Sequence, residues 1–374
     1  MPHHGQTSAA NQPFSATDFV TSLNAALQNY LAQQHQRVAG IAAEALDLIE
    51  NIAALSQGGK RLRPLFAWYG WQIAGGQART TQIQELGMSL ELFQAAALIH
   101  DDILDRSDTR RGQPSAHRRF EQLHRSRQWD QEAEHFGISG AILAGDLSLA
   151  LCEEVFTQLT LQLSCQNVSA AASARQVFDD MRFEVMTGQY LDVREESAGR
   201  YHSPQLALER AMTILQYKSA KYSVERPLML GAAAAGASAE LLAELSALAL
   251  PLGEAFQLRD DQLGVFGDPA VTGKPAGDDL REGKRTALIA YARAGADAQQ
   301  SQLIDDLLGE PAMTEQQVAE FQQVIQSTGA ATKVEQLITE KAEAAYSGIN
   351  ALDCEEAARA GLLELAQATI NRQK

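Results

Sequence analysis

From Thr17 to Leu55 apolar residues recur every three or four positions: Phe19, Leu23, Leu27, Tyr30 and Leu31, then Ile41, Ala45, Leu48, Ile52 and Leu55. That spacing predicts two amphipathic helices with stripes facing a core. A further stripe holds Leu86, Leu90, Phe93, Ala97 and Leu98, and Thr81 with Gln84 fits a capping box at its start. Gly140 to Phe156 is predicted as another apolar helix, interrupted at Gly145-Asp146, where Asp146 reads as a buried structural carboxylate. Trp129 to Phe136 is polar and predicts a surface loop. Ser203-Pro204 reads as a helix start, with Ser at the N-cap and Pro in the first helical position. Everything beyond Thr286 reads as helices, with a second capping box at Thr314 and Gln317. Residues 1–16 are polar and aperiodic and predict a disordered tail. Residues 17–374 carry no repeat, heptad seam or linker, so they are expected to form one domain.

The chain has 374 residues, long for one domain but acceptable for one large helical bundle. Hydrophobic residues make up 45% and aromatics only 6%, with Ala and Leu dominant, which favours an all-α fold over sheets. A net charge of −16 argues against nucleic acid and anionic membrane surfaces as partners. Local Arg and Lys clusters then read as an anion pocket. Cys152, Cys165 and Cys354 lack metal-ligand spacing and are expected to stay reduced. No signal segment opens the chain, and no uninterrupted apolar run approaches the ~20 residues of a membrane span. These features predict a cytoplasmic protein without an integral membrane segment, which must carry any lipid-like substrate inside a pocket.

The chemistry concentrates around Leu98 to Gly112. Asp101, Asp102 and Asp105 follow an apolar run, and Asp101 and Asp105 stack one helical turn apart. Carboxylates this close repel unless a cation lies between them. Mg²⁺ suits such a site, because it needs few carboxylates when phosphate oxygens complete its octahedron. Acid clusters on helices are usually solvated faces, but this one has a counterpart: Phe256 to Gly264 places Asp260 and Asp261 after another apolar run. A metal site shared between two facing helices needs two such clusters. Upstream, Gly58-Gly59 precede Lys60 and Arg63 at a helix start, where free N–H groups and the dipole favour an anion. Gln94 lies two turns before Asp101 on the same face. Lys218 precedes the apolar run Pro227 to Ala235 and reads equally well as a pocket-edge amine or a snorkelling lysine. Gly273 to Thr286 forms a Gly-rich loop of mixed charge, the kind that carries function.

Taken together, these motifs resemble the trans-isoprenyl diphosphate synthases (polyprenyl synthetases) from about Thr17 to the end. The matching residues are Gly59 to Pro64, the Asp101/Asp102/Asp105 motif with Arg110-Arg111-Gly112, and Gly188-Gln189 with Asp192. Lys218-Ser219, Phe256-Gln257 with Asp260-Asp261, and Lys274, Asp278 and Lys284 complete the set. The resemblance implies an isoprenoid-synthase bundle around a central cavity. It implies that Asp101, Asp102, Asp105, Asp260 and Asp261 hold Mg²⁺, three ions in all, against an allylic diphosphate. Arg110, Lys218, Ser219, Gln257, Lys274 and Lys284 would bind that diphosphate, with Lys218 and Lys274 also serving catalysis. Lys60, Arg63, Gln94 and Arg111 would bind isopentenyl diphosphate, and the C-terminal Arg372 would reach it as basic tails do in some relatives. The resemblance also implies a homodimer.

One position departs from the pattern: Gly264 stands where a third Asp is usual, with Asp268 one turn further on as a possible substitute. Ala96 and Ala97, five and four positions before Asp101, leave out the first aromatic floor of farnesyl-producing relatives, and Phe93 is the next large side chain. The expected product is therefore geranylgeranyl diphosphate, with farnesyl diphosphate the nearer alternative. A non-catalytic subunit, supported by Gly264 alone, is a further alternative. A metal phosphohydrolase built on His100-Asp101 would need His ligands on other helices, but His117, His124 and His135 all follow within one region. A terpene cyclase would lack the Lys60/Arg63 site.

Overall fold

The computed structural model describes residues 14–198, 202–267 and 277–371. The first half consists of α1 (Ala16–Ala39), α2 (Leu46–Ser56), α3 (Leu62–Ile73), α4 (Thr81–Leu104), α5 (Ala116–Arg127), α6 (Ala133–Gln166) and α7 (Val168–Ala198). Then come α8 (Pro204–Ile214), a π-helical segment (Leu215–Glu225), α9 (Arg226–Ala234) and α10 (Ala239–Phe266). A short α11 (Asp278–Glu282) leads to α12 (Ala287–Gly295), α13 (Ala298–Leu307), α14 (Glu315–Ser327), α15 (Ala330–Ala351) and α16 (Glu356–Ile370). The described strands form one tiny hairpin, Thr109–Arg110 against Gln113–Pro114.

Most of the apolar stripes read from the sequence become the core, but Ile41, which opens the second stripe, is 82% exposed between α1 and α2. Phe19, Leu23, Leu27, Ile52, Leu86 and Leu90 are all fully buried. Each such side chain is worth about 1.5–3 kcal/mol of transfer free energy. Ser15 caps α1 through a complete capping box with Asp18, and Thr314 with Gln317 does the same for α14. Ser203 caps α8 with Pro204 in its first turn.

Three local expectations change. The cap of α4 is Thr80, whose hydroxyl accepts from the Ile83 N–H, so Thr81 is already helical. The helix predicted from Gly140 begins at Ala133, which shrinks the loop after Trp129, and it runs unbroken past Gly145-Asp146. The Asp146 side chain is 61% exposed rather than buried. The glycine before it makes room for the His100 ring, which a Cβ at Gly145 would meet at 2.2 Å. The helical pattern weakens there because two helices cross closely.

Packing concentrates around α4, α6, α7, the π segment and α10. The largest interhelical contact joins α4 to α6, and α10 packs along both the π segment and α15. The close approach of α7 to the π segment depends on Gly188, where a Cβ would lie 2.4 Å from the Lys218 backbone nitrogen. By length and mean hydropathy α6 and α10 reach span-like values, although polar residues interrupt the apolar runs of both. Here α10 runs through the bundle and carries Asp260 and Asp261 near its end.

Candidate active site

The two acidic clusters line one cleft of about 700 Å³. Asp101 projects into it from α4, and Asp260, Asp261 and Gly264 from α10. Lys60, Arg63, Gln94, Arg110, Arg111, Lys218, Ser219, Gln257 and Lys284 line the same space, so sequence positions more than two hundred apart converge. Lys274, together with Asp268 and Arg372, lies outside the described residues.

Around the first cluster, cations from three different elements stand on the carboxylates. Arg110 reaches back from the hairpin: its Nε donates to Asp102 at 2.8 Å, and its Nη2 lies 3.3 Å from Asp101. The turn that aims it has positive φ at Arg111 (54°) and Gly112 (71°), a geometry that closes a two-residue hairpin. Lys218, on the π segment, pairs with Asp192 of α7 and lies 3.5 Å from Asp101. Lys284 lies 3.2 Å from Asp105, 3.6 Å from Asp279 and 2.5 Å from Glu282. Burial works to lower the pKa of each cation. The carboxylates overcome it: Asp102 and Asp101 hold Arg110 up, Asp101 and Asp192 hold Lys218 up, and Asp279 and Asp105 do so for Lys284. Asp105 remains above the usual carboxylate range because burial and Asp101 outweigh Lys284. Both its oxygens are buried without a hydrogen bond.

The second cluster is drier. Burial pushes Asp261 up to about 8, with Asp279 and Asp260 adding repulsion against a hydrogen bond from Gln257. That bond, from Nε2 to Oδ1, is 2.8 Å long. Among the described residues no three acidic, imidazole or thiol side chains converge closely enough to cage a metal alone. Oxygen donors on two helices, with both Asp105 oxygens buried and making no hydrogen bond, do suit a hard divalent ion whose shell is completed by phosphate.

A second anion-facing region borders α3. Arg63 donates to Ser223 at 2.8 Å and lies 4.1 Å above the Tyr222 ring, while the Tyr222 hydroxyl donates to Gln94 at 2.7 Å. Arg111 donates to the Gln57 carbonyl at 2.9 Å, fixing its guanidinium beside the Gly58-Gly59 loop. Arg61 is buried and points inward to Glu91, Asn24 and the Ser56 carbonyl, so it clamps the loop while Lys60 and Arg63 face the cleft.

Sequence reasoning assigned no role to several residues that matter here. Tyr222 and Ser223 orient Arg63 and Gln94. Both are buried behind the cleft lining, on a π-helical segment that no short motif announces. Asp192 stands in a quoted motif, yet its pairing with Lys218 depends on the close pass at Gly188. The ring of His100 turns toward α6, with Nε2 3.3 Å from the Ile142 carbonyl. His117 and His124 are buried and bond to Ser115 and the Asp130 carbonyl. This arrangement gives the phosphohydrolase reading no histidine set.

The helical bundle and its two facing acidic clusters define a class, and comparison with known proteins agrees. Residues 47–326 match the polyprenyl synthetase family, and the chain belongs to it. It is thus a prenyltransferase of the short-chain trans type. The geranylfarnesyl diphosphate synthase of Aeropyrum pernix is 31% identical over 309 residues, covering 82% of this chain and 88% of that protein. The geranylgeranyl diphosphate synthase of Sulfolobus acidocaldarius is 30% identical, covering 63% of each chain. A crystal structure of geranylgeranyl pyrophosphate synthase from Corynebacterium glutamicum, complexed with isoprenyl diphosphate and magnesium, is 38% identical. It superposes with a TM-score of 0.88, covering 96% of this chain and 100% of that one.

Proposed function

We propose that the chain condenses isopentenyl diphosphate with allylic diphosphates, depends on Mg²⁺, and releases geranylgeranyl diphosphate as its main product. The observation that carries this reading is the convergence of both acidic clusters and two separate groups of cations on one cleft. Asp101, Asp102, Asp105, Asp260 and Asp261 would hold Mg²⁺, three ions in all, and the bound metal would neutralise charge on the departing pyrophosphate. Arg110, Lys218 and Lys284, now resting on carboxylates, are placed to turn onto the allylic diphosphate, with Ser219 and Gln257 beside it. Lys274 would join them.

Lys60, Arg63, Arg111 and Gln94 would bind isopentenyl diphosphate through its diphosphate and orient its double bond toward the allylic carbon. As the allylic C–O bond breaks, that double bond attacks, a new C–C bond forms and a proton is lost. Leu98, Ile214 and Leu215 supply apolar lining that keeps water from the carbocation. The growing chain would run down α4 past Ala97 and Ala96. Phe93, buried edge-on against Tyr222 with ring centroids 5.5 Å apart, forms a stop one turn lower.

The Corynebacterium enzyme's name supports the C20 product, while the Aeropyrum relative's name points to C25. Product analysis separates them: wild type should stop at C20, Ala96→Phe should shorten the product to C15 and Phe93→Ala should lengthen it. A C25 wild-type product, or no shift in either variant, would refute the floor.

A homodimer is supported by an exposed apolar stripe on α7, where Phe183, Met186 and Tyr190 are 74%, 50% and 66% exposed. Leu143 on α6 is 57% exposed as well. A second copy of the chain would cover surface of this kind. A monomeric mass by light scattering at micromolar concentration would exclude it.

A further inference from the structure

The π segment that carries Lys218 is pinned between two helices. On the α7 side a Cβ at Gly188 would lie 2.4 Å from the Lys218 backbone nitrogen. On the α10 side a Cβ at Gly253 would lie 2.4 Å from the Ala220 carbonyl oxygen. A π-helix from Leu215 to Glu225 is unusually long, and such a conformation persists only where its surroundings hold it.

Glu184 lies one turn before Gly188, which lies one turn before Asp192, so all three share the face of α7 that meets the segment. The Glu184 carboxylate accepts from Lys221 Nζ at 2.9 Å, from Arg226 Nε at 2.8 Å and from Arg226 Nη2 at 2.7 Å. The Glu184 side chain is 16% exposed and each cation 12%, and none of the three lines the cleft. Burial works to raise the Glu184 carboxyl, and the hydrogen bonds from Arg226 and Lys221 overcome it, so the group stays ionised. From the other side, Lys221 lies 3.4 Å from Glu225, which accepts from the Ser246 hydroxyl of α10 at 2.6 Å.

Lys221 and Arg226 are five residues apart. In an α-helix such positions point about 140° away from each other, whereas i→i+5 closure sets them nearly one above the other. The Arg226 N–H donates to the Lys221 carbonyl and closes that wide turn. One carboxylate therefore meets both cations because the turn is π. If the segment tightened to α, everything before Lys221 would rotate, including Lys218, which faces Asp101 and Asp192.

We propose that Glu184 is a positioning residue for prenyl transfer: by clamping Lys221 and Arg226 it holds the π register that aims Lys218 at the allylic diphosphate. The proposal rests on the role given to Lys218 above, and Glu184 acts through that lysine alone.

The test is a double-mutant cycle on the full-length enzyme with Mg²⁺, geranyl diphosphate and isopentenyl diphosphate, with circular dichroism to confirm folding. Glu184→Gln keeps the size of the side chain and removes its charge. It should lower kcat/KM for geranyl diphosphate at least about 10-fold, since a small displacement of a reacting group costs up to about 10²-fold. KM for isopentenyl diphosphate should move less than about 3-fold, because Lys60 and Arg111 hold that substrate from outside the segment. In a Lys218→Ala background Glu184→Gln should add less than about 3-fold, since the group it positions is gone. Amide exchange across residues 215–226 should quicken in Glu184→Gln, a readout independent of turnover. If Glu184→Gln does not fold, Lys221→Gln removes one arm of the clamp and carries the same cycle. Unchanged kcat/KM, unchanged exchange, an equal rise in both KM values, or a full 10-fold loss in the Lys218→Ala background would each overturn the proposal. A Lys218→Ala enzyme as active as wild type would remove the role of Lys218 and the proposal with it. A damaged Lys218→Ala beside an unaffected Glu184→Gln would remove the positioning role alone.

Discussion

The two acidic clusters face the same cleft and are neutralised by opposite means. On α4, Asp101, Asp102 and Asp105 meet Arg110, Lys218 and Lys284, each cation delivered by a different element. On α10, Asp261 meets the neutral amide of Gln257 and the charges of neighbouring acids, and its carboxyl is pushed up to about 8. Asp101 and Asp102 are balanced by ion pairs and Asp261, at neutral pH, by a proton. A buried carboxylate must be balanced in one of these ways or by a metal. The difference shows how a site rich in acids folds before its ligands arrive. Three cations rest on the α4 carboxylates, and on α10 the Asp261 carboxyl keeps its proton near neutral pH.

The largest expected effect falls on both clusters together. Asp101→Ala and Asp260→Ala should each lower turnover by about 10²–10³-fold, the scale of losing one key electrostatic group. Excess chelator should abolish prenyl transfer in the wild type, measured as incorporation of labelled isopentenyl diphosphate. Full activity in chelator would remove the common ground on which the clusters are compared.

Stability without metal separates them. Asp102 is fully buried against Arg110, so Arg110→Gln should cost about 3 kcal/mol, the lower end for breaking a buried pair because Arg110 keeps some exposure. Asp261→Asn keeps a neutral side chain where the wild type holds a proton, and near pH 7 it should change stability by less than about 0.5 kcal/mol. Urea unfolding in chelator reads both. Equal losses would mean that the two clusters are balanced alike.

The sequence made the clusters legible because a helix converts the spacing of Asp101, Asp102 and Asp105 directly into a shared face. The cations were legible as charges near motifs, but their pairings were not. Arg110 meets Asp102 because of a left-handed turn at Arg111-Gly112, and Lys218 meets Asp192 because Gly188 lets α7 touch the π segment. Asp279 could be read only as one acid in a mixed loop, since its approach to Gly264, where an added Cβ would meet its carboxylate, is set by tertiary packing fifteen residues away. Asp146 misled for the same reason: the glycine before it suggested a break in the helix, and the structure spends that glycine on the His100 ring.

A smaller effect should divide the cations. Lys60→Ala and Arg63→Ala should raise KM for isopentenyl diphosphate about 10-fold with little change in kcat, as losing one charge-assisted contact would. Lys218→Ala stands on the first cluster and should instead lower kcat or weaken the allylic substrate. The same kinetic phenotype for all three would erase the division between the anion-facing regions.

The smallest expected effect concerns the wall of the first cluster. Glu196 lies on α7, one turn beyond Asp192, and its carboxyl is raised to about 7, by burial first and then by Asp192 and Asp105. The folded chain therefore holds a proton there that the unfolded chain gives up above its ordinary value of 4.5. A folded pKa above the unfolded one makes stability fall as pH rises: the contribution is intact below about 4.5 and lost once pH passes about 7. Because Glu196 keeps part of its contact with solvent, screening reduces the loss to about 1 kcal/mol. Glu196→Gln cannot ionise and should remove it. In chelator, wild type and variant should differ little near pH 5, and the variant should be the more stable by about 1 kcal/mol near pH 8. Parallel stability curves across that range would show that neither burial nor the charges of Asp192 and Asp105 raise the Glu196 carboxyl.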